Sequence, residues 1–260
     1  MKRLLVFLLL CVSALGQGII GPNGVIGPKG VIGSGSGTQT PTLIQAGPGT
    51  AACQAGAAAS VTCQFTTQNN TASDTIIAFA TWDNCAAGGI TGAFTDSGLN
   101  TYTLGTTAQW QAGFGGLCLG QAWASETGGG GTKITITVTF TGGTPNHSEI
   151  IVSEWSHVNG ASSGHDTDAS SAPGAATPWV SASITTTNAT DLVVACFANQ
   201  AQNYNAAVSP FTVIQSNNTG TWGSGCEYNT YTTTQSGLTA SATPAVSSTQ
   251  WNYIMALKAQ

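Results

Sequence analysis

Glu149 and Glu154 bracket the run Glu149-Ile-Ile-Val-Ser-Glu154, and a pair of carboxylates is the machinery of retaining glycoside hydrolysis. In such an enzyme the two groups sit about 5 Å apart, one as nucleophile and one as acid and base. A strand that alternates strictly turns these two positions to opposite faces. Only a β-bulge between them would return both to one cleft. Without it, the expected roles are structural: Glu149 at a strand edge in solvent, and Glu154 satisfied by neighbouring hydroxyls or amides.

A second group, His157, His165, Asp166 and Asp168, follows that strand. Alternating acidic side chains and backbone carbonyls could hold a structural calcium through Asp166 and Asp168, and no other cofactor is expected. His147, His157 and His165 have no spacing that defines a transition-metal site. Nucleophilic catalysis lacks its signatures: there is no G-x-S-x-G elbow and no phosphate- or dinucleotide-binding fingerprint.

Four aromatics stand in polar, glycine-rich surroundings: Trp110 and Phe114 in TTAQWQAGFGG, Tyr204 in ANQAQNYNAA and Trp222 in NNTGTWGSG. An exposed ring beside Asn and Gln is the composition of a sugar-stacking platform. The alternative is that each ring folds back to cap one end of the fold. Trp82, Trp123, Trp155 and Trp251 lie in strand-like segments and read as core.

Only 6% of residues are charged. Lys2, Arg3, the apolar run Leu4–Val12 and the small residues Ala14 and Gly16 form a secretory signal with a cut before Gln17. Leu10 stands where a lipoprotein signal ending at Cys11 would need a small residue. The mature chain then has three lysines and no arginine against ten carboxylates, a formal charge of −7. It cannot neutralise a phosphate backbone, so nucleic acid and anionic membrane are poor partners. No further transmembrane segment is expected. A surface of Thr, Ser, Asn, Gln and Gly suits polysaccharide or self-association. The sequons at Asn69, Asn146, Asn188 and Asn217 matter only where the glycosylation machinery exists.

Residues 17–39 carry glycine at every third position from Gly18 to Gly33. The tract resembles collagen, which would imply a trimerising stalk; the plainer expectation is a glycine-rich spacer. From residue 40 to 260 the pattern is short β segments between turns. Thr75–Trp82, Lys133–Phe140, Glu149–Trp155, Asp191–Ala198 and Trp251–Lys258 are the clearest strands, with a turn at Asp96–Asn100. No internal period is evident. The expected fold is all-β, one two-sheet antiparallel sandwich of jelly-roll or Ig-like style. Six mature cysteines in an exported chain argue for disulfides. Pairing of sequence neighbours gives Cys53–Cys63, Cys85–Cys118 and Cys196–Cys226.

Two family resemblances follow from these residues. The succession SDTIIAFATW, FTDSGLNTYTL, QAWASETGGGGTKITITVTFTG, IIVSEWSHVNG and ATDLVVACF resembles a β-sandwich module of unassigned function in bacterial extracellular proteins. EWSH departs from that module's EYSG, and the cysteine content is higher. The run from Glu149 to Glu154 resembles the E-x-D-x-x-E strand of laminarinase-like glucanases, with Ile151 in place of the aspartate. The first resemblance supports the fold; the stalk-like glycine repeat, the neutral polar surface and the loop aromatics fit a secreted or surface-displayed non-enzymatic module for glycan binding, adhesion or self-assembly. The alternatives are a glycan-active hydrolase using Glu149 and Glu154, or a structural subunit of an extracellular filament or surface layer.

Overall fold

The computed structural model describes residues 19–21, 24–27, 30–32, 38–84, 89–106, 116–127, 132–171, 175–199, 203–218, 222–247 and 249–260. The expected signal peptide, Cys85, Trp110 and Phe114 lie outside the described residues. The chain divides into two compact units, Met1–Gln39 and Thr40–Gln260. In the first, β1 (Ile19–Gly21), β2 (Gly24–Gly27) and β3 (Gly30–Ile32) form an antiparallel meander, with Ile20 opposite Val25 and Ile26 opposite Val31. The recurring glycines Gly21, Gly24, Gly27 and Gly30 stand at the strand ends.

The second unit is built of β4 (Thr42–Ala46), β5 (Gln54–Ala55), β6 (Ser60–Gln64), β7 (Thr75–Trp82), β8 (Thr91–Asp96), β9 (Thr103–Leu104), β10 (Cys118–Ser125), β11 (Thr135–Thr141) and β12 (Ser148–Ser156). These are followed by β13 (His165–Ser171), β14 (Trp179–Val180), β15 (Asp191–Asn199), β16 (Tyr204–Ala207), β17 (Thr212–Asn218), β18 (Gly223–Tyr231), β19 (Ser241–Pro244) and β20 (Trp251–Lys258). All pairings are antiparallel. One sheet runs β4-β12-β7-β10-β9 with β5 also on β12, and a second runs β6-β11-β8. A third runs β13-β20-β15-β18-β17, and a fourth β14-β19-β16.

The two halves have the same topology. Substituting β13 for β4, and β14 to β20 for β6 to β12 in order, converts the first pair of sheets into the second. The expected antiparallel sandwich is present, and it is present twice, with β5 as an addition to the first copy. Each copy has its own core. Val61, Ile76, Trp82, Ile136, Val138 and Ile150 fill the first; Trp179, Val193, Phe197, Tyr204, Ala242 and Ile254 fill the other. A third core joins the two larger sheets face to face. It sets Phe79, Leu119, Trp123 and Trp155 of the first sandwich against Leu192, Val194, Tyr253 and Met255 of the second.

This layering explains two kinds of strand. β11 (TITVTFT) alternates, with Ile136, Val138 and Phe140 buried and threonines outward, because only one face is covered. β7, β10, β12, β15 and β20 are buried at nearly every position because both faces are covered. Burying each of the larger apolar side chains stabilises the fold by about 1.5–3 kcal/mol. Disulfides Cys53–Cys63 and Cys196–Cys226 are formed as expected, the second tying β15 to β18. Cys118 is also disulfide-bonded.

Candidate functional site

Glu149 and Glu154 are not brought together. Along β12, Ile150 and Val152 enter the first core while Ile151 and Trp155 enter the central one, so the alternation is unbroken between the two glutamates. A bulge exists against β4, but it falls between Glu154 and Trp155, outside the pair. Both side chains are fully buried. Glu149 accepts from Gln54 Nε2 (2.8 Å) and Ser224 Oγ (2.5 Å) and lies 3.1 Å from His147 Nε2. Burial pushes its carboxyl up, and the contacts from His147, Ser224 and Gln54 oppose that rise. Glu154 accepts from Gln45 Nε2 (2.5 Å) and the Thr71 N–H (2.7 Å). The solvent-edge position expected for Glu149 is therefore corrected to an interior one, and a retaining carboxylate pair is absent from this strand. The amide partner expected for Glu154 is found.

Of the histidines and aspartates after β12, His165 and Asp168 meet, while His157 and Asp166 turn to other partners. His157 Nδ1 lies 3.3 Å from the Thr40 carbonyl. Asp166 accepts from the side chain and N–H of Thr187 and from the Asn188 N–H. Burial raises its carboxyl, but those bonds and the Lys258 charge outweigh it and hold the group below the ordinary range. Asp168 instead accepts from Thr106 Oγ1 and the Tyr253 hydroxyl and lies 3.1 Å from His165 Nε2. Asp166 and Asp168 thus face different partners. Among the described residues, no three His, Cys, Asp or Glu side chains gather as a metal centre would require.

Two of these histidines form matching clasps across the seam between the sandwiches. His147 of the first lies against Trp222 of the second, ring centroids 4.5 Å apart, and touches Glu149, which accepts from Ser224 of the second. His165 of the second stacks on Trp123 of the first at 5.2 Å and touches Asp168, which accepts from Thr106 of the first. In each, a histidine meets the other half's indole while its own half's carboxylate takes the other half's hydroxyl. Ser224 is bonded to a carboxylate rather than to a histidine, so the serine–base arrangement of nucleophilic catalysis is not assembled there.

Tyr204 and Trp222 are not surface platforms. Tyr204 is 1% exposed, its ring lies on Gly225, and its hydroxyl donates to Glu227 Oε2 at 2.7 Å. Trp222 is 6% exposed and closes the central core. The area of each ring is better buried than wetted, and the glycines and amides beside them in sequence are not what they pack against. Both are corrected from ligand-facing to capping roles.

The feature missed in the sequence concerns charge. Seven of the ten carboxylates are buried: Asp74, Asp96, Glu126, Glu149, Glu154, Asp191 and Glu227; the other three, Asp83, Asp166 and Asp168, are half-buried and hydrogen-bonded. Not one is exposed, where acidic groups are ordinarily found. Several are pushed toward their uncharged form. Burial raises Glu227 to about 8, with Tyr204 and a Ser241 backbone bond opposing. Burial also raises Asp191 to about 6, helped by Asp166. The outside keeps little charge: no carboxylate is exposed, and among the described residues Lys133 is exposed and Lys258 half-buried. The outward face of β6-β11-β8 is tiled by Thr62, Thr95, Thr137, Thr139 and the hydrogen-bonded pair Thr91 and Thr141.

On that exterior lies a cleft of about 340 Å³, lined by Thr101, Thr103, Ser125, Thr127 and the Gly160–Ser162 segment that links the sandwiches. Its wall is fixed from behind. Asn100 donates through its N–H to Asp96 (3.1 Å) and through Nδ2 to both Asp96 and Glu126 (3.0 Å each). Its Oδ1 accepts from the N–H and hydroxyl of Thr127, which fixes the orientation of the amide. Tyr102 donates to Asp96 at 2.9 Å, and its hydroxyl is pushed far up by burial and the two carboxylates.

No family model, curated protein or solved structure matches this chain.

The chemistry of the cleft is therefore read from its own residues. Hydroxyls can donate and accept, the lining carries no ionisable group, and the nearest carboxylates are engaged behind Asn100. Such a wall can hydrogen-bond a neutral ligand; it offers neither a free general base nor a nucleophile with an activating partner.

Proposed function

We propose that this chain is an extracellular, non-enzymatic module that adheres to neutral polysaccharide. The observation that carries the proposal is the withdrawal of every carboxylate from the exposed surface, which leaves mainly hydroxyls and amides, with the Lys133 ammonium, as the groups a partner meets. A neutral hydrogen-bonding surface has little to offer a polyelectrolyte and much to offer a hydroxyl-rich chain. The disulfides Cys53–Cys63 and Cys196–Cys226 fit an oxidising compartment, and among the described residues no helix is long and apolar enough to cross a membrane. Adhesion is also favoured over edge-to-edge assembly. Edge strand β13 carries a bulge and two aspartates, and edge strand β17 a bulge, devices that discourage strand addition.

Co-sedimentation tests the proposal. The protein is incubated with insoluble cellulose, xylan, mannan and chitin, and with pectate as the anionic comparison. Retention on at least one neutral polysaccharide and not on pectate is expected. Protein left in the supernatant with all four neutral polymers, or retained only on pectate, overturns the proposal.

A further inference from the structure

We infer that the cleft between Thr103, Ser125 and Ser162 is the subsite that takes a short stretch of a neutral sugar chain, an inference that rests on the proposed adhesion to polysaccharide. Its volume of about 340 Å³ lies at the small end of ligand sites, where one part of a chain rather than a whole oligomer is held. The hydroxyls of Thr101, Thr103, Ser125 and Ser162 line it without hydrogen-bond partners among the described residues. Each can rotate to donate or accept, which matches a ligand whose own hydroxyls do both.

The walls are held in place before any ligand arrives. Asn100 is tied to Asp96, Glu126 and Thr127, and Trp123 Nε1 donates to the Ala161 carbonyl at 3.3 Å. Gly160 lies so close to Thr75 and Ser125 that a β-carbon there would stand 2.6 Å from Thr75 Oγ1 and 2.7 Å from Ser125 Oγ. A wall already fixed loses little conformational freedom on binding. The carboxyl groups of Asp96 and Glu126 sit behind Asn100 and the lining holds no cationic side chain, so an anionic sugar finds no charge partner in the cleft. The cleft also spans the first sandwich and the linker to the second, so an occupant touches both at their junction.

The test is isothermal titration calorimetry of the folded protein with neutral hexasaccharides of the glucan, xylan, mannan and chitin types, and with the polygalacturonate hexasaccharide. Thr103→Val with Ser125→Ala removes two cleft hydroxyls at nearly unchanged shape; Thr139→Val on the outward face of β11 is the control. Circular dichroism verifies that both variants fold. Affinity for the bound neutral hexasaccharide is expected to fall about tenfold in the cleft variant and to hold in the control, as loss of two neutral hydrogen bonds implies. If wild type binds a neutral hexasaccharide and the cleft variant binds it equally well, the cleft assignment is wrong while adhesion stands. If wild type binds no neutral hexasaccharide and also stays in the supernatant with the insoluble polymers, both fall. Sedimentation without hexasaccharide binding leaves adhesion standing and overturns the cleft. Equal affinity for polygalacturonate overturns the neutral-sugar assignment.

Discussion

Glu227→Gln turns the interior placement of the carboxylates into a measurable pH dependence. Glu227 is fully buried, held by the Tyr204 hydroxyl, and raised from the ordinary 4.5 to about 8. An acid raised in the folded state keeps a proton there that the unfolded chain releases. Its contribution to stability is full below about pH 4.5 and is lost as pH rises through about 8. At about 1.36 kcal/mol per pKa unit, the whole swing is about 5 kcal/mol. Glutamine cannot ionise and has no such swing. It keeps a carbonyl for Tyr204 but sets an amide where Glu227 Oε1 has no partner, a pH-independent cost of about 1–3 kcal/mol. The variant should therefore be the less stable protein near about pH 5 and the more stable one near about pH 9. Urea unfolding followed by tryptophan fluorescence, with disulfides intact, gives both stabilities. Asp191 and the other carboxylates are the same in both proteins, so the difference between the two curves isolates Glu227. Parallel curves across this range would refute a buried, protonated Glu227.

Two further substitutions probe the packing that hides these groups. Gly225→Ala would drive a methyl into the Tyr204 ring in a central strand, and a loss of about 1–3 kcal/mol, or more if Tyr204 is expelled, should appear in the same urea assay. Ser224→Ala and Thr106→Val each remove the hydroxyl that one sandwich offers to the other's carboxylate, Glu149 or Asp168. Each should cost about 1–3 kcal/mol, and since the clasps share no partner the double variant should be additive within about 0.5 kcal/mol. Strong non-additivity would mean that the two clasps are one cooperative unit.

The strands were legible in the sequence where period and composition agree. Thr75–Trp82 and Trp251–Lys258 have the bounds read from the sequence, and the Ile134-to-Phe140 alternation marks a strand with one covered face. The contrast between KITITVTF and the unbroken apolar runs TIIAFATW and LVVACFA also held the clue to the layers, since a strand without alternation has both faces covered. The duplication left no readable period because the halves match in strand order rather than in residues; Asp74-Thr-Ile-Ile-Ala and Asp191-Leu-Val-Val-Ala are a faint trace. The candidate site was less legible. Whether an acid is buried depends on groups far along the chain: Ser224 for Glu149, Gln45 for Glu154, Tyr204 for Glu227. Tyr204 and Trp222 looked exposed because their sequence neighbours are polar, while the surfaces they pack on belong to Gly225 and His147. The cleft hydroxyls are common residue types, and only the Asn100 network and Gly160 give them a shared shape.

Under the proposed function, this molecule meets its partner through a surface of hydroxyls and amides that exposes no carboxylate. Retention on insoluble neutral polysaccharide, measured from low to molar salt, tests that most directly, because contacts between exposed charges are screened and hydrogen bonds between neutral groups are not. Retention that is the same across the whole range is the predicted result. Retention that collapses as salt rises would show that exposed charge carries the contact, and would contradict the claim.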